Sequence, residues 1–327
     1  MKGCEKMKAA YIEKTGSPAS IHYGDLGKPK PGLDEVLVKN HYSAVNYVDT
    51  FVRSGQYKTL LPQPFIIGRD AVGQVVEKGD WVTAFDIGDW VWTNSMGHDG
   101  RQGVAAEYFA APVNRVYPLP QGTSPLKAIA SVHSAATAAI LLTKVAQAKL
   151  GQSLLVCGGN GHVGSKLVAI GQQMGLDVTA TAAPKALKEV RALGAKAVYD
   201  YHEDQQEALS HRFDIVVDTS GQVPLKEQIA ALKQGGKILM ITPPPVEDLN
   251  LWSLYTQSAQ ILGFVISQAS ALDLQAASQV INKLFAQGLL LNDNIEVLPL
   301  SQAEAAHERL EQKINNKKKL VLKCALD

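Results

Sequence analysis

A glycine-rich turn between an apolar run and a helix-like segment is the feature that most constrains the fold of this chain. Residues 154–157, LLVC, are apolar, and a G-x-G-x-x-G pattern follows almost at once. In such a turn one glycine permits the bend, a second lets the backbone approach a pyrophosphate, and a third lets the helix pack on the strand. The pattern predicts a phosphate-binding loop; a glycine-rich turn without a ligand is the alternative. The residues of the loop are Gly159, Asn160, Gly161, His162, Val163 and Gly164.

Strand-like apolar runs alternate with helix-like segments from residue 154 to residue 265. The runs are SLLVCGG, DVTATA, KAVYDY, FDIVVDT, GKILMIT and QILGFVI. Continuous apolar strands joined by crossovers are typical of a parallel sheet that is covered on both faces. The pattern therefore predicts a doubly wound α/β domain, which we place at residues 127–267.

The two ends of the chain show short alternating runs broken by glycine and proline. Runs such as EVLVKNHY, AVGQVVEKG and DWVWTN predict antiparallel strands between residues 8 and 126. An Ala- and Leu-rich helix follows, with Gly151 as its expected C-terminal stop. The tail predicts two helices, the run EVLPL and the strand KKLVLKCAL. We expect residues 1–126 and 268–327 to form one β-rich domain, with Lys317–Lys319 in a solvated turn.

Composition excludes several classes of partner. The chain of 327 residues has 32 Lys and Arg against 31 Asp and Glu, a formal charge of +1. This balance provides no field to attract nucleic acid or an anionic membrane. The first twenty residues contain no apolar run of signal-peptide length, so we expect a cytoplasmic protein. Three widely spaced cysteines, Cys4, Cys157 and Cys324, fit neither a disulfide framework nor a paired zinc site.

The end of the second α/β strand bears on the choice of nucleotide. Dinucleotide sites that take NAD usually present Asp or Glu there to the ribose hydroxyls, whereas this chain has Thr181-Ala182-Ala183. Lys185 and Lys188 follow. Each of them is a candidate to neutralise a 2′-phosphate, and a solvated charge on a helix is the alternative. Tyr201, after the third strand, offers a hydroxyl group. These residues favour NADPH.

Several further motifs resemble one family. They are Ser43 to Asp49 (SAVNYVD), Arg53 to Tyr57 (RSGQY), Pro64 to Gly73 (PFIIGRDAVG) and Ala106 to Tyr108 (AEY). Together with the glycine turn they look like the zinc-free quinone oxidoreductase branch of the medium-chain dehydrogenase/reductase superfamily. The resemblance implies a GroES-like β-rich catalytic domain and a Rossmann domain with a parallel six-stranded sheet of order 3-2-1-4-5-6. It also implies reduction of a quinone or an α,β-unsaturated carbonyl by NADPH.

The sequence departs from the zinc-dependent members of that superfamily. Where those members have a cysteine and a histidine as metal ligands, this chain has Asn46 and Arg69, neither a useful ligand for Zn²⁺. His133 falls where a third ligand would stand. The stretch from Thr93 to Gly103 is short, has no cysteine and leaves no room for a four-cysteine lobe. We therefore expect no bound metal.

The resemblance also implies roles for individual residues. Asn46 and Tyr57 are candidates to position or polarise the substrate oxygen, although Asn46 as a turn cap and Tyr57 as an aromatic wall are alternatives. His133 either relays a proton or lines the cleft, and Asp49 is expected to pair with Arg69. Thr137 is expected near the nicotinamide, with packing as the alternative. Further cofactor contacts are expected from the backbone near Ile241, Phe264 and Val265. Lys313 stands where some relatives have an arginine against the 2′-phosphate, and a solvated lysine is the alternative.

Two further expectations concern assembly and activity. The apolar last strand of the parallel sheet would expose unpaired backbone groups at a sheet edge, so a homodimer that pairs these edges is expected. A proline run, Pro243–Pro245, stiffens the loop near the nicotinamide pocket. Two other functions remain open. One is an NADPH-binding structural or regulatory protein whose catalysis is vestigial, and the other is a metal-dependent alcohol dehydrogenase, which Asn46 and Arg69 disfavour.

Overall fold

The computed structural model describes residues 5–245, 251–315 and 318–325. The chain divides into two compact units. The first comprises residues 1–133 and 274–327, and the second comprises residues 134–273. Both divisions fall inside helices, at His133 and at Asp273, a few residues after the boundaries expected from the sequence.

The strands and helices follow the alternation of the sequence. The strands are β1 (Lys6–Ile12), β2 (His22–Gly27), β3 (Glu35–Ala44), β4 (Phe65–Ile66), β5 (Asp70–Lys78), β6 (Trp90–Thr93), β7 (Tyr108–Pro112), β8 (Val116–Pro118), β9 (Ser153–Cys157), β10 (Asp177–Ala182), β11 (Ala197–Asp200), β12 (Phe213–Asp218), β13 (Leu232–Met240), β14 (Gln260–Gly263), β15 (Ile295–Pro299) and β16 (Lys319–Lys323). The α-helices are α1 (Tyr47–Ser54), α2 (Pro125–Ile140), α3 (His162–Gln173), α4 (Leu187–Ala192), α5 (Gln206–Leu209), α6 (Leu225–Ala231), α7 (Leu251–Thr256), α8 (Ala271–Ala286) and α9 (Ala303–Glu311).

The first unit is β-rich. One sheet has the order β15-β16-β3-β5-β6-β8, with β7 also paired to β3, and a second has the order β2-β1-β4. The C-terminal strand β16 runs antiparallel to β3 and places Val321 opposite Ala44. Apolar side chains of alternating strand positions, such as Val38, Val75 and Phe109, are buried in one core cluster of this unit. The C-terminal strands β15 and β16 thus complete a sheet whose other strands come from residues 35–118.

The second unit contains a parallel sheet of six strands within the described residues, in the order β11-β10-β9-β12-β13-β14. In chain order this is 3-2-1-4-5-6, so the predicted Rossmann arrangement is confirmed. Its strands are apolar because both faces are covered: Leu154, Val156 and Val216 are completely buried. The strand order reverses on either side of β9, and in open α/β sheets ligands bind at the carboxyl ends of the strands at such a reversal.

The helix that follows the β-rich segment ends earlier than the sequence predicts. It continues from α2 through one π-helical turn, Leu141–Val145, and Gly151 instead takes a left-handed conformation in the turn before β9. Within the described residues, the segment Pro125–Val145 is long and apolar enough to cross a membrane, and 78% of its most apolar window is buried inside the protein. Core helices share this composition, so it is weak support for a membrane span.

The two described cysteines, Cys157 and Cys324, are free and buried. Burial raises the pKa of both thiols, that of Cys157 to about 12. They therefore stay protonated and pack as small apolar groups.

A glycine in β5 provides a test of the close packing between strands. A Cβ atom at Gly73 would lie 2.1 Å from the carbonyl oxygen of Lys39, because the pairing of β3 with β5 shifts register beside it. We expect Gly73→Ala to lower the free energy of unfolding by about 2 kcal/mol. Gly263→Ala is the matched control, since a Cβ atom there meets nothing within 4 Å. Equal effects of the two substitutions in denaturant titrations would contradict this packing.

Candidate cofactor site and active site

The glycine turn lies at the carboxyl end of β9. Gly158 makes the bend with a φ of +82°, one residue before the G-x-G-x-x-G pattern. A Cβ atom at Gly164 would stand 2.1 Å from the carbonyl oxygen of Gly158, and one at Gly159 would stand 2.9 Å from Cβ of Ala180. Only glycine therefore lets α3 pack this closely on the turn.

The first turn of α3 presents backbone donors at this place. Gly161 is the N-cap and has no side chain to satisfy them, and the amide of Ser165 is the first that bonds within the helix, to the carbonyl of Gly161 at 2.9 Å. The amides of Val163 and Gly164 precede it in the first turn, where helical amides have no acceptor within the helix. They form the positive end of the helix dipole, which fits a bound pyrophosphate group.

The end of β10 is uncharged, as its sequence indicates. Thr181 is buried, and its hydroxyl oxygen accepts a hydrogen bond from the amide of Gly158 at 3.2 Å. Its side chain thus holds the glycine turn in place. Lys185 and Lys188 are exposed just beyond the strand.

A cavity of about 800 Å³ opens beside this strand end. Thr181, Cys157 and Val223 line it, and Tyr201 lies at its wall, stacked on His202 with ring centroids 4.4 Å apart. The volume is in the range of small-molecule sites. Its charged lining residues are Glu203, Asp204, Glu207, Lys226 and Glu227. Acidic groups outnumber basic ones on this wall.

The remaining cofactor candidates occupy several elements. Ile241 and Phe264 directly follow β13 and β14, and Phe264 donates its amide to the carbonyl of Met240 at 2.9 Å. The amide of Phe264 is thus engaged, and the carbonyl of Val265 accepts from the amide of Gln268 at 3.0 Å. The carbonyl of Phe264 and the amide of Val265 remain the candidates to meet a nicotinamide carboxamide. Thr137 is buried in α2. Lys313 is exposed after α9 with a φ of +58° and belongs to the other unit.

In the first unit, six polar side chains form what we call the buried polar cluster. They come from α1, the start of β5, α2 and β16, and they are Asn46, Asp49, Arg69, Asp70, His133 and Lys319. Asp70 is at its centre and is completely buried. Oδ2 of Asp70 lies 3.0 Å from Nδ1 of His133 and accepts from Nδ2 of Asn46 at 2.7 Å. Its Oδ1 accepts from the amide of Ser95 at 3.2 Å.

Asn46 is held within the cluster on all sides. Its Nδ2 donates to Asp70 and, at 3.3 Å, to Asp49, while its Oδ1 accepts from Nζ of Lys319. The carboxylate of Asp49 also accepts from the backbone amide of Asn46 at 2.8 Å, at the start of α1. Both N–H bonds and the oxygen of the amide are thus used internally. This geometry supports the capping role of Asn46 over direct contact with a substrate oxygen.

Lys319 corrects the expectation of a solvated turn. It is 8% exposed and reaches Asn46 from the first position of β16. Because β16 pairs with β3 within the core of the unit, its first side chain points into the cluster and not into solvent. Lys317 lies outside the described residues.

The expected pair of Asp49 and Arg69 is present, with Oδ1 and Nε 3.6 Å apart. Burial raises the pKa of Asp49 to about 6, although Arg69 opposes the shift. Burial also opposes ionisation of Asp70, but His133, Lys319 and Arg69 outweigh it and hold the pKa of that carboxyl below its ordinary value. The nitrogens of Arg69 are buried and make no hydrogen bond with the described residues.

Tyr57 and His133 are less enclosed. Tyr57 is partly buried at the border of a core cluster that includes Ile12 and Phe65. The side chain of His133 is 15% exposed, so its ring retains contact with the outside while Nδ1 faces Asp70. Within the ranges that the structure describes, no group of three His, Cys, Asp or Glu side chains is placed to hold a metal ion.

Sequence reasoning missed Asp70 and Lys319. Asp70 stands in the Gly68-Arg69-Asp70 segment, directly after Arg69, which was considered as the replacement of a metal ligand and as the partner of Asp49. Its place within the motif was therefore an available signal. Lys319 carried no signal, because only the pairing of β16 with β3 brings it to Asn46.

Comparisons with known proteins agree with this architecture. Residues 32–121 match the family model of the alcohol dehydrogenase GroES-like domain, and residues 193–318 match that of zinc-binding dehydrogenases. The chain is 27% identical to human quinone oxidoreductase over 316 residues, which cover 94% of this chain and 95% of the human one. It is 30% identical over 259 residues to a chloroplastic quinone-oxidoreductase homolog of spinach, covering 76% and 78% of the two chains.

Solved structures agree as well. A mycobacterial protein crystallised with NADPH superposes with a TM-score of 0.78 at 26% identity, and the match covers 97% of this chain and 99% of that one. This chain thus matches human quinone oxidoreductase in sequence and the mycobacterial protein in fold over nearly their whole lengths. The chain belongs to the quinone oxidoreductase type of the medium-chain dehydrogenase/reductase superfamily of oxidoreductases.

Proposed function

We propose that this protein is an NADPH-dependent oxidoreductase that passes hydride to a quinone or an α,β-unsaturated carbonyl without a metal. The observation that carries the proposal is the first turn of α3, whose amides follow a turn that only glycine can form. The family supports an oxidoreductase. The cofactor and the metal-free reaction are inferred from the residues, and the acceptor is inferred from the resemblance to quinone oxidoreductases.

The choice of NADPH is supported by the strand end at Thr181. A carboxylate about 4 Å from a 2′-phosphate would cost roughly 4 kcal/mol at an effective dielectric constant near 20. Thr181, Ala182 and Ala183 bring no such charge, and Lys185 is exposed just beyond them. Because the cavity wall near Tyr201 is rich in carboxylates, we assign the 2′-phosphate to the side of Lys185. The mycobacterial relative that binds NADPH supports the same choice.

A reaction without metal is supported by the chemistry of the buried polar cluster. Asn46 and Arg69 stand where metal-dependent relatives have ligands, and their polar groups are an amide and a permanent cation. The amide of Asn46 is engaged on both atoms. Arg69 pairs with Asp49.

The residues of the first unit would act on the substrate oxygen. Bound NADPH supplies a hydride, and attack on the β-carbon of a conjugated carbonyl places negative charge on the oxygen. Hydrogen-bond donors can hold such a charge without a Lewis acid. Tyr57 is the candidate donor to that oxygen, and His133, with its partly exposed ring, is the candidate proton donor. Asn46 positions the cluster.

We also propose a homodimer that pairs the open edges of β14, the terminal strand in the order of its sheet. An unpaired edge strand is a ready template for another chain. The free thiols of Cys157 and Cys324 suit the reducing cytoplasm, where we place the protein.

The function is tested by measuring NADPH oxidation with naphthoquinones, short enones, alkenals and simple ketones, each with and without a chelator. We expect turnover with quinones or enones, little with simple ketones, and no loss of activity with the chelator. Turnover that the chelator abolishes would support the metal-dependent alternative. Binding of NADPH with no oxidation by any acceptor would support a vestigial, non-catalytic protein.

The pyrophosphate site can be tested at the N-cap of α3. Gly161 has a φ of −78°, which suits other N-cap residues, and a Cβ atom there would lie 3.3 Å from the carbonyl oxygen of Gly158. A small shift of the turn should therefore admit aspartate as a helix cap. Its charge would face the pyrophosphate, and at about 4 Å it would weaken NADPH binding roughly a thousandfold. Gly161→Asn is the neutral matched control and should bind far better than Gly161→Asp. Equal dissociation constants of the two variants would remove the pyrophosphate from this turn.

The 2′-phosphate site can be tested by charge reversal. Lys185→Glu should raise the Michaelis constant for NADPH and leave that for NADH unchanged. Lys149→Glu is the control, because Lys149 is exposed and precedes the amino end of β9, whereas the proposed phosphate site is at the carboxyl ends of the strands. If Lys185→Glu changes both Michaelis constants equally, Lys185 does not contact the phosphate.

A further inference from the structure

We propose that Asp70 is a positioning residue of the reaction, which fixes the ring of His133 with Nδ1 inward and presents Nε2 as the atom that gives the proton. This inference rests on the proposed function. It assigns a role to a residue that the sequence motifs left without one, and it names the atom of His133 that faces the substrate.

The geometry of Asp70 carries the inference. Its carboxylate is completely buried, and three groups from different segments converge on it: the amide of Ser95, the side-chain amide of Asn46 and Nδ1 of His133. An ionised carboxylate only accepts hydrogen bonds, so Nδ1, at 3.0 Å, must carry the proton. Because Nδ1 is buried, the exposed part of the ring belongs to its other atoms, which include Nε2, the second exchangeable site.

Neighbouring charges keep Asp70 ionised. Burial opposes this, but His133 lowers the pKa of the carboxyl most, and Lys319 from β16 and Arg69 beside β5 lower it further. Asp49 from α1 faces Arg69. With both carboxylates ionised, Arg69 and Lys319 balance them, so a proton taken up by His133 leaves the cluster with one positive charge. Loss of that proton to a substrate restores neutrality. The cluster is therefore arranged to hold one transferable proton.

The reduction uses one hydride and one proton. Hydride from bound NADPH would bring two electrons and form the new C–H bond at the β-carbon of the acceptor. The N–H bond at Nε2 of the imidazolium breaks, and its proton passes to the enolate. His133 becomes neutral and takes its next proton from solvent. One acceptor, one NADPH and one proton thus yield the reduced acceptor and NADP⁺.

A double-mutant cycle separates this role from a structural one. We expect Asp70→Asn to lower kcat at least about tenfold with the Michaelis constant for NADPH within about twofold of wild type. Because Asp70 acts through His133, the double variant Asp70→Asn/His133→Gln should be no slower than His133→Gln alone. Asp25→Asn, an exposed carboxylate paired with Lys8, is the control and should leave kcat unchanged. Additive losses in the double variant would overturn the proposal.

A second measurement needs neither activity nor a stable Asp70 variant. Nitrogen-15 NMR of the imidazoles in the wild-type protein, with His133 assigned by comparison with His133→Gln, reports which ring nitrogen carries hydrogen. We expect Nδ1–H in the neutral ring. A neutral ring with hydrogen on Nε2 alone would overturn the role of Asp70. If this tautomer is found and no acceptor is reduced, the proposed function fails and the pairing of Asp70 with His133 stands.

Discussion

The close approach of α3 to the carbonyl of Gly158 is the constraint on which the nucleotide side of this protein depends. A side chain at Gly164 would overlap that carbonyl, so α3 can approach the turn this closely only with glycine at this position. The same approach leaves the first amides of α3 at the carboxyl edge of the sheet, beside the reversal of strand order at β9. Thr181 reinforces the arrangement, since its hydroxyl accepts from the amide of Gly158. The close packing of α3 on the turn and the proposed binding of a pyrophosphate thus depend on the same glycines.

The catalytic side depends on a different kind of constraint, a set of charges that must stay together because they are buried. Asp70 and Arg69 are completely enclosed, and either would be strongly destabilising if its partners were removed. Lys319 is supplied by β16, close to the C-terminal end of the chain. The pairing of β16 with β3 therefore brings the positive charge of Lys319 to Asn46 and Asp70. The position of His133 beside Asp70 thus depends on the C-terminal strand of the unit.

Patterns that are local in sequence could be interpreted without a structure, whereas features that depend on distant pairing could not. The strands from β9 to β14 and the glycine turn were predictable, because strand periodicity and glycine spacing act over a few residues. The early end of the helix before Gly151 was not, since the π-helical turn at Leu141–Val145 has no strong sequence signal. Lys319 was taken as solvated because three adjacent lysines usually are, and only the register of β16 reverses that conclusion. Asn46 was placed near the substrate by resemblance, while its contacts depend on Asp70 and Lys319, which come from two other segments.

The central claim is that the turn at Gly158–Gly164 seats a phosphorylated dinucleotide. Calorimetric titration of the purified protein with NADPH, and separately with NADH, tests it most directly. We expect saturable binding of NADPH near one molecule per chain, with weaker binding of NADH. The absence of heat and of any change in nicotinamide fluorescence with NADPH would contradict the account.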